Sequence, residues 1–107
     1  MPDAPAAPGL VLLTLVVPVD LEEALDDLLL RAPDVTGFTV VAAEGHGTSV
    51  ALVEPAERVR GYADRVYVQT VAPRAQADAL LATIRSALPH ANLYFWMTPV
   101  VAGGRLA

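Results

Sequence analysis

Residues 10–17 read LVLLTLVV, and this run constrains the fold more than any other part of the chain. Leu10, Leu12 and Val16 alternate with Val11, Leu13, Leu15 and Val17, so as a strand the run is apolar on both faces. Such a strand belongs inside a sheet that is covered on two sides. A second run of this kind comes near the end of the chain. In NLYFWMTPVV, residues 92–101, Leu93, Phe95 and Met97 alternate with Tyr94 and Trp96.

The sequence between them supplies only two helices. Pro18 ends the first strand, and Asp20 and Glu23 have the spacing of a capping box that opens a helix. Leu21, Ala24, Leu25, Leu28 and Leu29 form one apolar stripe, with Glu22, Glu23, Asp26 and Asp27 predicted largely on the opposite, solvated side. Pro33 closes this helix. A second strand is predicted over residues 35–43, VTGFTVVAA, and a third over residues 64–72, DRVYVQTVA. The third has Arg65, Tyr67 and Gln69 on one side and Val66, Val68 and Thr70 on the other. Pro73 suits a first helical turn, and Ala77, Leu80, Leu81, Ile84 and Leu88 mark the buried face of the second helix.

The order β-α-β, long loop, β-α-β is the ferredoxin-like split motif: an α+β fold with a four-stranded antiparallel sheet and two helices on one face. Residues 1–9 and 102–107 are read as tails, and residues 10–101 as the domain. Two helices cover one face of the sheet, yet the first and last strands are apolar on both. At about 25 cal/mol per Å², burying ~500 Å² of the uncovered face contributes on the order of 12 kcal/mol before association costs. A homo-oligomer joined through its sheets is therefore expected.

Composition removes several function classes. The 107-residue chain has no cysteine, which excludes disulfides, thiolate metal sites and thiol nucleophiles. Its seven basic residues are all arginine and its net charge is -5, so no surface is expected to bind nucleic-acid phosphates. Tyr94, Phe95 and Trp96 lack the basic surroundings that base stacking needs and are read as packing residues. No run supplies the roughly 20 apolar residues of a membrane span, and MPDAPAAPG lacks the basic start of a secretory signal; the cytoplasm is the expected compartment. No nucleophile, acid and oxyanion arrangement is implied around Thr48, Ser49 and His46, and VPVD after the first strand is no anion cradle. The chain is read as non-enzymatic.

Residues 44–64, EGHGTSVALVEPAERVRGYAD, interrupt this apolar chain with glycine, histidine, proline and charge. Structureless loops of that length inside small domains are commonly functional or disordered. His46, between Gly45 and Gly47, is accessible and carries a borderline-metal donor, and Glu44 is its nearest carboxylate. Glu54, Glu57 and Asp64 are further oxygen donors without tight metal spacing. The competing readings are an exposed turn histidine and solvated loop charges. Arg58 and Arg60 need an extended backbone to clamp an anion together, and pairing with Glu57 or Asp64 is their simpler role. His90 is read as a turn residue, and Met97 as packing.

The stretches LLTLVVPVDLEEALDDLLL, GFTV, GHG at residues 45–47, RVRG at residues 58–61 and LYFWMTPVVAGGRL are spread over nearly the whole chain. Together they resemble a small uncharacterised family of PII-like proteins, some of whose members are found beside heavy-metal efflux pumps of the RND type. The resemblance implies a PII-like trimer with three sheets around a central core and a T-loop over residues 44–61. Gly45, His46, Gly47 and Thr48 would then touch a target protein, and ligands would bind between subunits near the loop's base. The chain departs from signalling PII proteins in the turn before the last strand, where LPHAN has none of the glycine or basic residues that hold nucleotide phosphates. Arg58, Arg60 and Arg105 are the remaining candidates for a phosphate contact. Copper-tolerance proteins of the CutA type share the fold, but their sequence pattern is absent.

These observations lead to a trimeric regulator or sensor whose T-loop responds to a small effector and contacts a membrane transporter, an efflux component or another target. The family association suggests a heavy-metal ion, divalent or copper, as that effector. The alternatives are a metal-binding tolerance or buffer protein and a nucleotide-binding PII-type signalling module.

Overall fold

Strand β1 (Leu10–Pro18) occupies an interior position of a four-stranded antiparallel sheet, as its two apolar faces require. In the computed structural model, which describes residues 9–33, 35–46 and 63–107, a 3-10 turn (Val19–Leu21) leads from β1 into α1 (Glu22–Arg31). Strands β2 (Thr39–Gly45) and β3 (Ala63–Pro73), helix α2 (Arg74–Ala87) and β4 (Tyr94–Pro99) follow. The sheet order is β2-β3-β1-β4, which is the ferredoxin-like arrangement expected from the sequence.

The helices cover one face of this sheet. Val11, Leu13, Leu15 and Val17 of β1 meet Val66 and Val68 of β3, Leu25 and Leu29 of α1, and Ala77, Leu80, Leu81 and Ile84 of α2 in one buried core. Each large aliphatic side chain buried there contributes roughly 1.5–3 kcal/mol. Both predicted helical stripes therefore point inward, except that Ala24, counted in the first, is exposed.

Several boundaries differ from the sequence reading. β2 begins at Thr39 instead of Val35, because the Gly37 carbonyl is held by the Thr70 hydroxyl at 2.7 Å and not by the strand ladder. It continues to Gly45, so Glu44 and Gly45, read as loop, are paired strand residues opposite Asp64 and Ala63. The Asp20 capping box does not form. The chain enters a 3-10 turn directly after Pro18, Glu22 N–H bonds to the Val19 carbonyl, and α1 starts after Leu21 with no side-chain cap. Pro73 ends β3 and caps α2 from outside its first turn, and β4 is shorter than the predicted span.

Two hydrogen bonds fix which backbone groups face outward. Arg74 N–H donates to the Gly9 carbonyl at 2.7 Å, and Val100 N–H donates to the Leu10 carbonyl at 3.0 Å. Gly9 adopts φ +79°, a left-handed conformation that glycine enters without a Cβ penalty. Hydrogen-bonded and non-hydrogen-bonded pairs alternate along an antiparallel ladder, so odd residues of β1 bond to β3 and even residues to β4. By the same alternation the outward backbone groups belong to Phe95 and Met97 on β4 and to Val40, Ala42 and Glu44 on β2. Among the described residues, neither edge has a further strand partner.

Candidate functional site

Residues 47–62 join β2 to β3 and lie outside the described residues, and the candidate donors stand at the described end of the β2–β3 stem. Glu44 of β2 is directly opposite Asp64 of β3. Because Ala43–Arg65 and Gly45–Ala63 are the hydrogen-bonded pairs, Glu44–Asp64 is a non-hydrogen-bonded pair, the kind whose side chains approach most closely. Carboxylates placed opposite one another on a sheet destabilise it. His46 follows immediately after the strand, with its Nε2 4.0 Å from Glu44 Oε2 and both side chains more than half exposed. The stem end therefore carries two carboxylates and an imidazole. Among the described residues, no three such groups are gathered closely enough to hold a metal ion as they stand.

The remaining sequence candidates fall elsewhere. Gly47, Thr48, Arg58 and Arg60 lie outside the described residues, as does most of the predicted T-loop. Arg105 is exposed in the C-terminal segment, where its Nε donates to the Ala107 carbonyl at 2.7 Å. That segment follows β4, which ends beside Val11, whereas β2 ends toward the Pro18 end of β1 on the opposite edge. His46 and the start of the C-terminal segment thus leave the sheet from diagonal corners, with the length of β1, about 30 Å, between its ends. His90 is exposed in the turn after α2, which closes through Leu88 N–H to Ile84 O at 2.8 Å and Ala91 N–H to Leu88 O at 3.2 Å.

The helix-free face of the sheet is the second candidate surface. Its rows run Val41, Tyr67, Val16, Tyr94 and then Thr39, Gln69, Thr14, Trp96, with Leu12 between Val71 and Thr98 beyond. Tyr67 and Trp96 meet edge to face, 5.6 Å between centroids, across the strand that separates them. Beneath them Thr14 is fully buried and its hydroxyl accepts a bond from Gln69 Nε2 at 3.1 Å. Around this small lid Val41, Val71, Tyr94 and Trp96 remain 43–48% exposed. The alternation of Tyr67 and Trp96 was legible in the sequence; that they meet depends on strand order.

One carboxylate departs from the predicted solvated face of α1. Asp26 is only partly exposed, its Oδ1 is buried without a hydrogen-bond partner, and Glu22 lies one turn back on the same side. Burial first, then the hydrogen bond and charge of Glu22 and the charge of Asp27, raise its pKa from 3.8 to about 6.

Comparison with solved structures shows the fold. A family protein from Shewanella baltica, solved by crystallography, is 23% identical, with a TM-score of 0.77 over 94% of this chain and 100% of that one. CPII from Thiomonas intermedia K12, a nitrogen regulatory PII-like protein bound to ADP, AMP and bicarbonate, is 19% identical, with a TM-score of 0.67 over 91% and 96% of the two chains. CutA from Synechococcus elongatus is 16% identical, with a TM-score of 0.73 over 94% and 88%. No curated protein matches the chain. Residues 7–107 match the family described as protein of unknown function, DUF3240, of which the Shewanella structure is also a representative; the chain belongs to the DUF3240 family.

Proposed function

We propose that this protein is a non-enzymatic, PII-like regulator that works as a homotrimer and uses the loop between β2 and β3 to sense a small effector and contact a target. The effector is a heavy-metal ion, divalent or copper, and the target is a transport protein or another regulated partner. The observation that carries this reading is the end of the β2–β3 stem, where Glu44 faces Asp64 and His46 stands beside them. A cation received there would remove the repulsion between the carboxylates and add an imidazole donor, favouring one arrangement of the loop over others. Further donors would come from the loop or from a neighbouring subunit.

The trimer is supported by the half-exposed apolar face and by the two sheet edges that no described strand covers, which a closed ring of subunits would cover.

The test is titration of the purified protein with zinc and with copper, followed by calorimetry and native mass spectrometry. Uptake of at least one ion per trimer is expected, with affinity reduced tenfold or more in His46→Ala and in Glu44→Gln. Equal metal affinity in all three proteins would remove the stem from the reading.

A nucleotide effector is the second reading, favoured by the nucleotides bound to the Thiomonas relative. Against it stands the turn after α2, residues 88–92, which has no glycine, lysine or arginine. Binding of ATP that is lost in Arg58→Ala, Arg60→Ala or Arg105→Ala but kept in His46→Ala would favour this alternative.

A further inference from the structure

At the opposite edge of the sheet from the loop stem, the C-terminal half of α2 and the edge strand β4 enclose a cavity of about 300 Å³. Its floor is made by core residues Leu15, Leu81 and Ile84, and its outer walls by Leu93 and Phe95. This is the lower end of the size range of small-molecule sites, and the lining is of the apolar kind that such sites share. The Phe95 side chain projects to the helix side of β4, away from the sheet face assigned to the subunit interface, yet stays 46% exposed in the single chain, where the mouth is open.

Among the described residues, Arg85 is the one charged member of the lining, and its guanidinium carbon stands 5.9 Å from the centroid of the Phe95 ring. That is the outer limit of a cation–π contact, which leaves the guanidinium free to turn toward another partner. No acid stands three or four residues away on the helix, where Leu81, Ala82, Leu88 and Pro89 are found. The acid of α2, Asp78, is held by Arg74 at 3.2 Å. A cation in the last turn suits the helix dipole; the dipole does not account for its place at the mouth of an apolar cavity.

We infer that this cavity binds a small monocarboxylate with an apolar body, the body against Leu81, Ile84 and Phe95 and the carboxylate on Arg85. A single planar guanidinium matches the charge and the two oxygens of a carboxylate. A phosphate dianion would bring more charge and more acceptors than one arginine can satisfy. At interior packing density the volume accommodates on the order of ten non-hydrogen atoms. This inference is independent of the loop reading, since none of its residues belongs to the β2–β3 stem.

The probes are phenylacetate, its neutral relative 2-phenylethanol and its cationic relative 2-phenylethylamine, each titrated into the full chain and followed by amide NMR shifts. Phenylacetate is expected to move the signals of residues 81–95 with a Kd on the order of 0.1–1 mM. The alcohol should bind at least fivefold more weakly, and the amine more weakly still. Arg85→Gln should lower phenylacetate affinity about tenfold, to the level of the alcohol, and leave the alcohol unchanged. Ala91→Leu, which narrows the cavity without touching the charge, should weaken both. Equal binding of acid and alcohol, shifts confined to other residues, no effect of Arg85→Gln, or no binding by the assembled protein would each overturn the assignment.

Discussion

Val71→Asp is expected to leave the chain folded but to convert a trimer, about three times the 11.2 kDa chain mass, into a monomer. Val71 lies in β3 on the helix-free face, directly opposite Leu12, and is 48% exposed in the single chain. A carboxylate at such a position remains hydrated in the monomer, so the fold should lose little. In an assembly joined through this face the same carboxylate must be desolvated without a partner, at several kcal/mol per copy. A weakening of association by three orders of magnitude or more follows, since each factor of ten corresponds to about 1.4 kcal/mol. Sedimentation velocity over a range of concentrations reads the result directly. Val19→Asp is the control: Val19 is equally exposed but lies in the turn before α1. If Val71→Asp sediments as the parent does, the helix-free face is not the interface.

Asp26→Asn is expected to stabilise the protein at neutral pH. The fold raises the Asp26 pKa above its ordinary value, so it favours the protonated acid. The stability tied to that proton is fully present below pH 3.8 and is lost as the pH rises through about 6. Asn is uncharged throughout and similar in shape. The difference between the two proteins should therefore be small near pH 4, grow through pH 6 and level off above pH 7. Allowing for the partial exposure of the group, the plateau is on the order of 1–2 kcal/mol, or roughly 4–16 °C in Tm for a domain of this size. Thermal melts at pH 4, 6 and 8 test it. Glu23→Gln, an exposed neighbour on α1, should shift the Tm far less at every pH. A Tm difference that stayed constant across the three pH values would show that Asp26 does not carry the proton.

The fold was legible where periodicity determines burial. The doubly apolar β1 required an interior strand, and the stripes from Leu25 to Leu29 and from Ala77 to Ile84 identified the helix faces that now meet it. Local signals failed where tertiary contacts overrode them. Thr70 captures the Gly37 carbonyl and delays β2, while pairing with β3 draws Glu44 and Gly45 into the strand. The inward placement of Asp26 was hidden because a helical wheel shows the side of a helix but not how deeply its flank sits against neighbouring elements. The candidate donors at the stem were identifiable from His46 and its glycines, whereas the opposition of Glu44 and Asp64 depends on register. Arg85 had one sequence signal, the absence of an acid one turn away, but its cavity is formed by residues far apart in the chain.

The register of β2 on β3 has a mechanical consequence for whatever the loop does. A shift by one residue would exchange the two faces of β2, turning Val41 away from the row it shares with Tyr67 and Val16. A slide by one residue is therefore opposed by the packing of the sheet. Rearrangement at the stem must proceed from its tip inward, opening Gly45–Ala63 and Glu44–Asp64 before any pair closer to the core. The two strands unzip from the tip more readily than they slip by one residue, so a rearrangement at the stem changes how many rungs are closed and leaves the frame behind them fixed.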